Sequence, residues 1–216
     1  DQFQASLYKT HLVQNQPGRL ENQNAFSQDL TLKEILRRNQ ASWIQAKARK
    51  LGAQVLSPSM MDLADQANRN EPVLKTHDRS GNRIDEVEFH PAYHQLMALA
   101  KAYGIHNLSY TANKPGSYTA RAALFYLFTQ LEAGVMCPIS MTHAGLAALR
   151  HQSKTLGAST PTVISDWTSQ LLKPKYDQRH SLASQKTGAT MGLAMTEKQG
   201  GSDVRANSTT SKAIGT

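Results

Sequence analysis

"SYTARAALFYLFTQLEAGVMCPISMT", Ser117–Thr142, carries the reading that decides the fold class of this chain. Ser117 suits a helix start. Ala120, Leu124, Phe125, Phe128 and Leu131 then fall on one stripe, the spacing of a helix that turns one face to a core. Cys137-Pro138 restarts the chain into a neighbouring helix that holds Thr142, Leu146 and Leu149, since proline fits a first helical turn. Working outward, the same punctuation recurs. Thr160-Pro161 opens a helix with Ile164, Trp167 and Leu171, and Pro174 ends it. His90-Pro91 opens another that closes at Gly104. Ser57-Pro58 starts one running to about Ala67, Trp43, Ile44 and Leu51 mark one more, and Ser27 is the expected cap of a helix with Leu30, Leu32, Ile35 and Leu36. The polar stretch "HDRSGNRIDEVEF" reads as a connection with a turn at Ser80-Gly81-Asn82. Residues 1–26 read as an extended arm. Only after Gly188 do small and apolar residues change the texture, and a strand is expected only there. The pattern predicts an all-α fold over 1–188, followed by a strand within 189–216.

Composition agrees with a folded domain. The 216 residues are 39% hydrophobic and 19% charged, and the eight prolines are scattered. That length buries a proper core. The single cysteine, Cys137, excludes an internal disulfide and a cysteine zinc cluster and fits a reducing, cytoplasmic setting. The most apolar region, Ala122–Leu149, contains Glu132, Pro138 and His143, which suits core helix rather than a membrane span. No charged-then-apolar leader opens the chain, and its start at Asp1 suggests a trimmed sequence. A net charge of +8 invites a phosphate-bearing partner. Lys33, Arg37, Arg38, Lys47, Arg49 and Lys50 face a single acid, Glu34, with Trp43 between them. This segment is either a nucleic-acid contact or a pair of solvated cationic helix faces.

Candidate chemistry is sparse. His90 and His94 have a metal-ligand spacing, but Pro91 stands where a zinc helix has glutamate and no third ligand is near, so no metal site is expected. Glu132, in an apolar helix, is either a base with a raised pKa or a carboxylate satisfied at a helix end. Cys137 has no histidine partner in sequence and reads as a small packed residue. No catalytic residue is assigned. The best candidate is "MTEKQGGSDV", Met195–Val204. Gly200 and Gly201 can adopt positive φ and expose successive N–H groups to an anion, with Ser202 adding a hydroxyl and Lys198 a charge. It lacks the Gly-Lys-Ser/Thr ending of a P-loop, and a turn with no ligand remains the alternative.

"MTEKQGGSD" resembles the flavin-contacting strand and turn of the acyl-CoA dehydrogenases, commonly T-E-P-G-A-G-S-D. The departure to Lys-Gln-Gly, together with "NQP" at Asn15–Pro17, "FHPAYH" at Phe89–His94, "HNL" at His106–Leu108 and "EAGVMCPISMT" at Glu132–Thr142, resembles the alkylation-response, DNA-binding flavoprotein branch of that family. The resemblance implies an N-terminal helical domain followed by the opening of a middle β-domain, in a protein that binds FAD and dehydrogenates acyl-CoA thioesters. It implies a flavin contact over Leu193, Ala194, Met195, Thr196, Glu197, Lys198, Gln199, Gly200, Gly201 and Ser202. Thr196 would meet the pyrimidine edge of the isoalloxazine and Ser202 the pyrophosphate. The family's catalytic glutamate and main DNA-binding surface lie in its C-terminal part. For the whole protein the resemblance implies double-stranded DNA as a partner, a homo-tetramer and a role in DNA repair. The second reading is a helical nucleic-acid- or partner-binding module whose glycine turn is only structural. Flavin bound by the whole protein separates the two.

Overall fold

The computed structural model describes residues 14–212. Two short helices come first among the described residues, α1 (Ala25–Gln28) and α2 (Leu30–Arg38). Ser27 does not cap them. Asn24 accepts from the Ser27 N–H and Asp29 from the Leu32 N–H, so two stronger capping residues flank Ser27 and leave it inside α1. A 3-10 turn leads into α3 (Gln45–Val55), followed by α4 (Pro58–Arg69). Pro58 sits at the first position of α4 as expected, but the Ser57 hydroxyl donates to the Gln54 carbonyl at 2.8 Å instead of capping.

The next element corrects the sequence reading. Val73–His77 (β1) and Arg83–Glu88 (β2) form an antiparallel hairpin, with Val73 opposite Glu88 and Leu74 opposite Val87. All eleven strand residues are exposed. A strand pair without a buried face leaves no alternation to read, which is why its turn was legible and its strands were not. The turn is held by Asp78, whose carboxylate accepts from the Asn82 side chain and from the N–H groups of Asn82 and Ser80, keeping its pKa below the usual carboxylate range.

The core helices follow: α5 (Pro91–Ala102), the short α6 (Leu108–Thr111), α7 (Ser117–Thr129), α8 (Met136–Leu156) and α9 (Thr162–Leu172). His90 caps α5 by accepting from the Ala92 N–H, and Gly104 (φ 70°) ends the turn beyond it in a conformation that costs glycine little. The stripe of α7 packs on α2, α3, α6 and α8, and Leu124, Leu127 and Phe128 lie fully buried with Phe26, Leu36, Leu51, Leu96 and Ile139. Leu146, Leu171 and Ala189 form a second, smaller apolar cluster where α8 meets α9. No helix among the described residues is long and apolar enough to cross a membrane.

The expected C-terminal strand is not formed. Residues 189–203 carry no regular structure and pair with no strand among the described residues. Gly192 and Ala194 are exposed and bring no buried side chain to pack, and a strand exists only by bonding to a partner. The fold is therefore mostly helical, as the periodicity predicted, with its one described sheet in the hairpin.

Candidate functional site

The turn after Met195 is built from reciprocal bonds. The Glu197 N–H donates to the Gly200 carbonyl at 2.8 Å, and the Gly200 N–H returns to the Glu197 carbonyl at 3.3 Å. The Glu197 carboxylate turns back on residues 208 and 209. It accepts from the N–H groups of Ser208 (3.0 Å) and Thr209 (3.1 Å) and from the Gln199 amide, while Gln199 also donates to the Ser208 hydroxyl at 2.7 Å. Bonds from Thr209 first and then Ser208 lower the Glu197 pKa. The Asn207 amide donates to the Met195 carbonyl, and its buried Oδ1 has no partner. A Cβ on Gly200 would run into that Oδ1, so a side chain there displaces the Asn207 amide.

One expectation fails here: neither Gly200 nor Gly201 adopts positive φ. The reciprocal Glu197–Gly200 pair closes the turn without a left-handed residue. The ten candidate residues thus separate. Glu197, Gln199 and Gly200 are spent holding the turn against residues 207–209. Thr196, Lys198, Gly201 and Ser202 are exposed, with the Thr196 methyl 3.3 Å from where a Gly201 Cβ would stand. Leu193 and Met195, on the approach, are 47% and 68% exposed. The hydroxyls of Thr196 and Ser202 and the N–H groups of Gly201 and Ser202 belong to exposed residues and bond to no other group among the described residues. This outward donor set fits a ring carbonyl and an anion. Asn207 was missed because nothing in local spacing marks an asparagine that acts twelve residues back.

Glu132 accepts from the N–H groups of Gly134 and Val135, each at 2.7 Å, and so satisfies the entry to α8. Cys137 is exposed, not packed, because the first turn of α8 buries Met136 and Ile139 instead. His94 Nδ1 lies 2.8 Å from the Tyr176 hydroxyl, and burial lowers its pKa. Both residues line a cleft of about 900 Å³ with Phe89 and Tyr93, which the turn does not border. No group of three metal-ligating side chains occurs among the described residues.

The basic segment is partly neutralised. Arg37 and Arg38 both pair with Glu34 at 2.7 Å, and Lys33 reaches the Ser27 carbonyl. Trp43 donates to the Pro115 carbonyl at 2.9 Å, and Lys47 is half-buried near Tyr103. Arg49 and Lys50 remain exposed.

The fold is that of the N-terminal helical part of acyl-CoA dehydrogenases. Solved structures share it: Caenorhabditis elegans ACDH-11 in complex with C11-CoA (TM-score 0.71, 23% identity, 92% of this chain and 33% of that one) and the apo form of Bd2924 (TM-score 0.72, 24% identity, 93% and 39%). The family model described as the adaptive response protein AidB N-terminal domain matches residues 15–178, and the chain belongs to that family. It is 38% identical over 208 residues to AidB of Escherichia coli (strain K12), covering 96% of this chain and 37% of that protein. It is 26% identical over 179 residues to acyl-CoA dehydrogenase family member 11 of Caenorhabditis elegans, covering 82% and 27%. The chain thus spans less than two-fifths of the length of these relatives.

Proposed function

We propose that this chain is the helical domain (1–188) and the opening of the β-domain (189–216) of an FAD-dependent, acyl-CoA-dehydrogenase-like protein of the alkylation response, cytoplasmic and tetrameric as a whole. The observation that carries the reading is the outward donor set of Thr196, Gly201 and Ser202, in a chain 38% identical to AidB. Thr196 holds the pyrimidine edge of the flavin, and Ser202 with the Gly201 N–H holds the pyrophosphate. When bound, the flavin supplies the redox chemistry, and these residues bind and orient it. The solved relative with C11-CoA supports an acyl-CoA-type ligand for the whole protein. Glu132 is not offered as the base, since both its oxygens accept from backbone N–H groups. DNA binding belongs to the whole protein, with Arg49 and Lys50 as accessory contacts.

FAD titration of the longer protein tests this. A hydrogen bond to a charged group contributes about 1.5–3 kcal/mol, so Ser202→Ala weakens FAD by about tenfold or more. Thr196→Val shifts the flavin spectrum, since the ring loses a partner. Equal titrations and spectra for wild type and both variants overturn the reading.

A further inference from the structure

The turn is tied to the helical domain through residues 188–191, and the ties are unusual in kind. The Ala189 N–H donates to the Gln170 carbonyl on α9 at 3.1 Å. The Ala189 carbonyl accepts from Lys101 Nζ of α5 at 2.6 Å. The Met191 N–H donates to the Thr142 hydroxyl of α8 at 3.1 Å, and that hydroxyl's own proton goes to the Pro138 carbonyl at 2.8 Å. The Met191 side chain lies over Gly145, where any Cβ would overlap its sulfur, and Gly188 passes so close to the Lys175 carbonyl that it too admits no side chain. Ala189 and Met191 belong to the small apolar cluster of Leu146 and Leu171.

Lys101 is the telling residue. It is fully buried, and burial, with Lys186 nearby, depresses its pKa to about 8. A methionine would fill much of the same space without the desolvation cost. The lysine spends that cost on one carbonyl of a segment otherwise free of regular structure. Thr196 lies five residues on from Met191, a reach of at most about 18 Å, so an anchor at 189–191 bounds where the turn can lie.

We propose that Lys101 and Thr142 are positioning residues: with the Gly145 notch they latch residues 189–191 onto α5, α8 and α9 and so set the place of the Met195–Ser202 turn for its ligand. The positioning half rests on the flavin reading above; the latch does not.

Two arms keep them apart. In hydrogen–deuterium exchange on this chain, Thr142→Val speeds exchange at the Met191 amide by about tenfold, the scale of one lost hydrogen bond. Thr142→Ser, which keeps the hydroxyl, restores wild-type exchange, and the amides of α5 and α7 stay protected throughout. Lys101→Met likewise speeds exchange across 188–191. Unchanged exchange in Thr142→Val, or equal effects of the Val and Ser variants, overturns the latch. In the longer protein, Thr142→Val lowers FAD affinity and Thr142→Ser does not. Full affinity alongside fast exchange overturns the positioning role. A wild-type protein that binds no FAD overturns the flavin reading and positioning together, while the exchange arm still decides the latch.

Discussion

The helical domain and the turn beyond it are held together by different forces. Around α7, twenty or more side chains bury apolar surface against one another, and no single hydrogen bond decides the arrangement. From Thr196 to Thr209 the only buried residue is Gly200, and the shape rests on Glu197, Gln199 and Asn207 bonding to backbone and hydroxyl groups. A region held by burial resists change wherever it is touched. A region held by a few polar bonds opens locally, at a cost far below global unfolding. Such a region can adjust to a ligand, and it needs an external anchor to stay in register with its domain.

The largest expected effect breaks the first region. Phe128 is fully buried at the centre of the core, and Phe128→Ala removes its burial and leaves a cavity. The loss is about 3–5 kcal/mol. Urea denaturation of this chain checks it, and a loss under about 1 kcal/mol means that α7 is not the centre of the core.

A second probe is pH. His106 is fully buried, its Nδ1 has no partner and its Nε2 meets the Lys173 carbonyl at 3.1 Å. Burial first, then the charge of Lys101, lowers its pKa from 6.5 to about 3. The unfolded chain therefore takes up a proton that the native chain refuses between those values. The stability from this group is complete above about pH 6.5 and falls as pH drops toward 3, by up to about 1.4 kcal/mol per pH unit. His143, also lowered by burial, adds to the trend. Denaturant midpoints between pH 4 and pH 7 show the slope, and His106→Gln flattens it. An equal slope in wild type and variant places the acid sensitivity elsewhere.

A smaller effect is expected at the entry to α8. Glu132→Ala leaves the Gly134 and Val135 N–H groups without their acceptor, a loss of about 1–2 kcal/mol on the scale of a helix cap. Thermal melts check this, and Glu132→Gln, which keeps one oxygen acceptor, recovers part of that stability. No recovery means that the carboxylate charge, rather than the bonds, supports the helix start.

The two regions were legible to different degrees for the same physical reason. Burial leaves a period in sequence, so the stripe of α7 and the His90-to-Gly104 bounds of α5 could be read directly. The hairpin buries neither face and left only its turn visible. The bonds that shape residues 196–209 join side chains to groups nine to twelve residues away, and no pattern in the sequence encodes them. Lys101 left one faint trace, a lone charge inside "QLMALAKAYG", which marks a buried cation without naming the carbonyl it serves.

The smallest effect sharpens the comparison most. Asn207 donates to the Met195 carbonyl and packs its Oδ1 against Gly200, so Asn207→Ala removes a tie across the whole turn. If the turn is a local unit, the loss of about 0.5–1.5 kcal/mol falls on its own opening and not on global unfolding. The denaturation midpoint should match wild type, while amide exchange at Glu197, Gly200 and Ser208 accelerates. The Met191 amide, anchored on Thr142, should keep its protection, because the latch lies on the domain side of the opened segment. A midpoint lowered toward that of Phe128→Ala would show that the turn unfolds only with the core. Faster exchange at Met191 would show that the turn holds the latch, reversing the direction of support between the two regions.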